Sequence, residues 1–141
     1  MEIDPLEAII TWLETALTSV SGRVASKHRY GEGWTEAQAG VSVHMDGGVP
    51  DLYAEVVTMR LEVRIYAGKP TDQANVVTIW RALVGLCRAN ERFTVAISGG
   101  KRALVHFVKP ASVLSLLYED TLQMDMGVLF ADAMVSEVDV S

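Results

Sequence analysis

The side chains able to do chemistry are few and scattered. His28, His44 and His106 are the only histidines, and each falls in a stretch that reads as strand. No two stand at i, i+4, and none sits beside a cysteine or carboxylate at metal-ligand spacing. His28 and His44 would approach only if their strands pair. A zinc site requires three or four converging ligands, so the spacing predicts no metal. Ser98-Gly-Gly-Lys101 has the composition of a phosphate loop. Such a loop requires a longer glycine-framed run, a Ser or Thr directly after the lysine, and then a helix. Here Arg102 follows and a strand comes next, so a hairpin turn is expected. Asp46-Gly47-Gly48 starts like a calcium loop but lacks the spaced ligands and the closing bidentate Glu. Glu32, Glu36, Asp46 and Asp51 lie in two connectors, 31–40 and 46–51, the one place where an acid–base pair is conceivable. A solvated acidic loop is the expected account of them. There is no Gly-x-Ser-x-Gly elbow and no recognisable Cys–His pairing. The single cysteine, Cys87, excludes an internal disulfide, and its place on an apolar helix stripe reads as a small buried hydrophobe. The residues therefore predict no catalytic set, no cofactor and no metal.

Any site would have to be positioned by a strand–helix unit in the middle of the chain. From Glu55 to Tyr66, Val57, Met59, Leu61, Val63 and Ile65 alternate with Thr58, Arg60, Glu62, Arg64 and Tyr66. That period of two marks a strand with one face on a core and one on solvent or a partner. Gly68, Lys69 and Pro70 break it, and Thr71 and Asp72 offer oxygens to cap a helix. Val76, Val77, Ile79, Trp80, Leu83, Val84, Leu86 and Cys87 then form a broad apolar stripe at helical spacing.

The rest of the chain adds material on both sides. Asp4-Pro5-Leu6-Glu7 has the signs of a helix start, with the stripe Leu6, Ile9, Ile10, Leu13, Ala16, Leu17 and Val20 behind it. Strands are expected at 23–30, 41–45, 93–97, 103–108 and 123–135, with turns or loops at 46–51 and 98–101. Residues 111–122 are ambiguous: 113–117 suggest a short helical turn and 118–121 a loop. Both faces of the final strand are apolar, so it is central or covered by a partner. The predicted fold is α+β, two helices on one face of a mostly antiparallel sheet in the order α-β-β-β-α-β-β-β, one domain over 1–141.

Composition bounds the partners. With 12 basic against 18 acidic residues the net charge is −6. Phosphate backbones are held by Lys and Arg displacing counterions, so nucleic-acid wrapping is not expected. Half the residues are hydrophobic and 21% charged, as in ordinary soluble domains. No basic leader with an apolar run opens the chain, and no run approaches the roughly 20 residues of a membrane helix, so neither secretion nor membrane insertion is expected.

The quoted stretches also carry a family likeness. Met59-Arg-Leu-Glu-Val-Arg-Ile-Tyr-Ala67, the short polar break, and the helix containing Ile79-Trp-Arg-Ala-Leu-Val84 resemble the tail-terminator or tail-completion proteins of long-tailed bacteriophages. Leu117-Tyr-Glu-Asp-Thr-Leu-Gln-Met-Asp-Met126, leading into an apolar strand, resembles the closing segment of those proteins, and the N-terminal helix fits. The resemblance implies a homo-oligomeric ring, usually a hexamer, on the head-proximal end of the tail tube. There it would stop tube growth and receive the head connector, in a virion put together in the host cytoplasm. DNA would pass through the lumen without specific binding. A head–tail joining or neck protein is the alternative, and a small α+β enzyme or binding domain using the acidic connectors a remoter one. On this reading the candidate interface residues are Glu32, Trp34, Glu36, Asp46 and Asp51 in the connectors, Arg60, Glu62 and Arg64 on the outward row, and Met124 and Met126 on the last strand. Trp34, a large aromatic in a polar loop, either folds back over the core or anchors a contact.

Overall fold

The computed structural model describes residues 4–18, 23–25, 38–51, 56–69, 72–89, 92–120 and 123–138. Two helices, α1 (Pro5–Ala16) and α2 (Gln73–Ala89), pack on one face of a curled sheet. Its strands are β1 (Val24–Ala25), β2 (Gly40–Asp51), β3 (Val56–Tyr66), β4 (Phe93–Ala96), β5 (Arg102–Pro110), β6 (Ser115–Glu119) and β7 (Met124–Val138). The sheet order is β1-β2-β3-β7-β5-β4, with β6 on β7 next to the end of β5. All pairings are antiparallel except the two-residue β1 on β2. The α+β class, with helices against a mostly antiparallel sheet, is as the residue pattern predicts.

Local chemistry starts both helices. Asp4 Oδ1 accepts from the Leu6 amide at 3.0 Å, and Pro5 fills the first position, where a missing N–H costs nothing. Asp72 Oδ1 accepts from the Ala74 amide at 2.9 Å. The stripes then meet the sheet. Ala8, Ile9, Trp12 and Leu13 of α1 and Val76, Ile79 and Leu83 of α2 are buried, and Trp12 tilts against Phe93 with ring centres 5.5 Å apart. The sheet answers with Met59, Leu61, Val63 and Ile65 of β3 and Leu129, Ala131, Ala133 and Val135 of β7, in one hydrophobic core. Trp80, part of the predicted stripe, is only half-buried at its edge.

β7 is central, flanked by β3 on one side and by β5 and β6 on the other. Its apolar character on both faces reflects this position. Cys87 sits half-buried on α2, and burial pushes its thiol up to about 11. Little thiolate exists at pH 8. Labelling by an aromatic disulfide in the native protein is expected to run on the order of a hundredfold slower than after unfolding in urea; equal rates would put the thiol in open solvent.

Two segments differ from expectation. Residues 46–51, expected as a loop, continue β2. Asp46 is a bulge between Met45 and Gly47, after which Gly47 to Asp51 pair with Arg60 to Val56. The reason is non-local: β3 is 11 residues long, and its first half also requires a ladder partner. Pro50 is tolerated because an edge position does not use its missing N–H. Residues 115–119, expected as part of a helical turn and loop, form β6 and pair with β7 from Ser115–Val128 to Glu119–Met124. Extending β7 to Met124 leaves backbone groups that only another strand satisfies. The sheet therefore holds one strand more than the predicted order.

Candidate assembly surface

The face of the sheet away from the helices carries the outward row of β3. Arg60 lies directly across from Asp132 on β7, Nε to Oδ1 2.8 Å. Glu62 and Arg64, two residues apart on one strand face, bond at 3.0 Å. Both are more than half-buried, unlike Arg60. Partial burial works against the Arg64 charge, but its bonds to Glu62 and Tyr66 outweigh this and raise its pKa. The exposed Arg60–Asp132 pair is worth little; such pairs contribute about 0–1 kcal/mol.

Beside these charges runs an apolar strip on β7, Met126, Val128 and Phe130. β6 forms the opposite wall. Together they enclose a groove of about 690 Å³ whose walls are Glu62 and Arg64 on one side and Val113, Ser115, Leu117 and Tyr118 on the other. A local device holds the far wall in place. Between β5 and β6 the chain bulges at 111–114. Ala111 donates its amide to Phe130 O at 2.8 Å, and Ser112 Oγ accepts from the Phe130 amide at 2.8 Å, standing in for a backbone carbonyl. Leu114 turns back to the helix side and packs over Gly127, where a Cβ would meet Leu114 Cδ1 at 2.6 Å and Val76 Cγ1 at 2.7 Å. Gly127 thus leaves the space through which Leu114 anchors the bulge.

A second bulge lies in β5. Val105 pairs with Val135 and Phe107 with Met134, so His106 is the extra residue. It lets both Val105 and Val108 face the core despite their odd spacing. His106 Nε2 and Ser136 Oγ are hydrogen-bonded at 2.7 Å. Burial, then the nearby Arg92, lowers the pKa of His106. This histidine is a sheet residue with a hydroxyl partner. Among the described residues no three His, Cys, Asp or Glu side chains converge as metal ligands.

The predicted interface residues are distributed unevenly. Arg60, Glu62 and Arg64 share the helix-free face, as the alternation requires. Asp46 is exposed at the β2 bulge, and Asp51 ends that strand, so the two belong to a sheet edge and not to a loop. Met124 and Met126 are 0% and 4% exposed and cluster with Tyr66, and Met126 also lines the groove. Glu32, Trp34, Glu36 and His28 lie outside the described residues. Sequence reasoning missed Val113, Leu116 and Tyr118, which are 81%, 41% and 54% exposed, and the role of Leu117, 50% exposed. The signal was there: several large apolar side chains within seven residues with no amphipathic element to absorb them.

No protein-family model and no curated protein matches this chain. What the surface can do follows from its own chemistry. An apolar strip framed by satisfied ion pairs, with an exposed apolar strand beside it, suits packing against another protein surface. Among the described residues no helix is long and apolar enough to cross a membrane.

Proposed function

We propose that this chain is a structural protein of a long-tailed phage virion, a tail terminator that closes the head-proximal end of the tail tube as a ring and receives the head connector. The likeness of 59–67, 79–84 and 117–126 to tail-terminator proteins motivates the reading. The observation that carries it is the helix-free face of the sheet: an open groove with an apolar floor and the Glu62–Arg64 ion pair at its rim. A closed cyclic assembly requires two unlike patches on each subunit. The groove and the outer side of the helix layer are two such patches, on opposite sides of the molecule. The net charge of −6 suits a wall past which DNA slides without being held.

The test is assembly on a template. Incubation with purified tail tubes followed by electron microscopy is expected to give a ring of about six 15.4 kDa chains at one end of the tube. A chain that forms no ring and leaves tube length and tube ends unchanged would remove this reading.

A further inference from the structure

Most edges of the sheet are guarded against pairing with other strands. The outer edge of β2 beyond β1 is blunted by the bulge at Asp46, by Gly47 and Gly48, and by Pro50, which has no N–H to donate. β4 is only 4 residues long, and the free end of β5 carries Lys109 and Pro110. β6 has none of these guards. Ser115–Glu119 contains no Pro, Gly or Lys, and it pairs with β7 on one side while no described strand pairs on the other. Its three central residues are all exposed on this strand, as is Val113 just before it. An unguarded apolar edge is a template for strand addition.

We propose that β6 pairs antiparallel with β6 of a second copy of this chain, about a two-fold axis through Leu117. Strand length and side-chain order select this partner. In the antiparallel register Leu117 meets the partner's Leu117, Leu116 meets the partner's Tyr118, and Ser115 meets the partner's Glu119. Aliphatic–aromatic cross-strand pairs are favourable, and each carboxylate faces a hydroxyl. A parallel in-register pairing would instead stack Glu119 on the partner's Glu119. The antiparallel arrangement also directs the acidic Glu119–Asp120 turn of each copy toward Val113 and, beyond it, Lys109 of the other. Among the described residues no other edge, whether of β2, β4 or β5, offers an unguarded apolar strand of this length.

The exposed apolar surface here is on the order of a few hundred Å² per copy, short of the roughly 800 Å² per side of a stable complex. The pairing is therefore reversible and rises with concentration. It is isologous and closes after two copies. It does not rest on the ring reading, although its residues Leu117 and Tyr118 also form one wall of the groove.

The experiment uses the full chain. Sedimentation or light scattering across a concentration series is expected to show the mass rising from 15.4 kDa toward twice that value. Leu117→Lys sets like charges across the axis, and it should remain monomeric with an unchanged circular-dichroism melt. Mild oxidation of Leu117→Cys should give a covalent dimer, whereas Thr94→Cys, exposed on the β4 edge, should not. The wild-type chain, whose half-buried Cys87 is its single cysteine, is oxidised alongside as the control for background. The proposal is overturned by a wild-type chain that stays monomeric at every concentration, by Leu117→Lys associating as wild type does, or by equal cross-linking at positions 94 and 117. A ring that assembles unchanged with Leu117→Lys in place of a dimer also overturns it, and leaves the ring reading standing.

Discussion

Gly68→Ala is expected to destabilise the fold by roughly 3 kcal/mol, measured by urea denaturation. Two separate costs act at this position. Gly68 has φ +77°, in the left-handed region that an alanine reaches only at a cost of about 1–2 kcal/mol. The chain leaving β3 also passes directly under the chain entering β2. A Cβ at Gly68 would stand 2.7 Å from the Ala39 amide nitrogen and 2.7 Å from the Gln38 carbonyl carbon. Those atoms are backbone, and they are tethered: Arg23 Nε donates to Ala39 O at 2.6 Å, and the Val41 amide donates to Arg23 O at 2.9 Å. Neither side of the contact can swing away as a long side chain would. Gly99 provides the control, because its φ is also +77° but nothing lies within 4 Å of its would-be Cβ. Gly99→Ala should show the backbone cost alone, about 1 kcal/mol. Equal losses at the two positions would mean that the crossing of 38–39 over Gly68 does not constrain the fold.

Leu61→Asp is expected to abolish the cooperative thermal transition. Leu61 is 1% exposed and lies in the middle of β3, paired with Met45 on β2 and Ala131 on β7. All three elements meet the helices through this face. A carboxylate there must be buried without a partner or protonated at a cost. Either outcome takes several kcal/mol from a total that is only about 5–15 kcal/mol for a domain. Its neighbour Arg60 is exposed on the opposite face, and Arg60→Ala should change stability by less than about 1 kcal/mol. Adjacent residues with such different outcomes test the alternation itself. A native melt for Leu61→Asp would show that this face is not the core. Trp80→Asp should be the milder of the two core substitutions, since Trp80 is only half-buried.

Groups that act within one element were legible in the sequence. The alternation over 56–66 gave the core face of β3 and the shared face of Arg60, Glu62 and Arg64, but Tyr66 on that second face is buried with Met124 and Met126. The caps at Asp4 and Asp72 and the turn at 98–101 follow from short-range chemistry. The apolar character of both faces of 123–135 announced a central strand. The candidate surface was legible only in part. The β3 row was found, and Met126 lines the groove while packing with Met124 and Tyr66, but the opposite wall at 113–118 was not recognised.

The sequence by itself determined which side chains are apolar at which period, and so the α+β class and the core faces of β3 and β7. Only the tertiary structure decided that 46–51 belong to β2, that 115–119 are a strand, that the extra residue His106 shifts the facing of β5, and that a groove forms between β3 and β6. The physical reason is the same in each case. A side chain's periodicity is a local property, whereas a backbone ladder is filled by whatever chain the neighbouring strand brings alongside. A weak strand former such as Gly47-Gly48 or an ambiguous segment such as 115–119 takes its structure from the unsatisfied amides and carbonyls of β3 and β7 beside it.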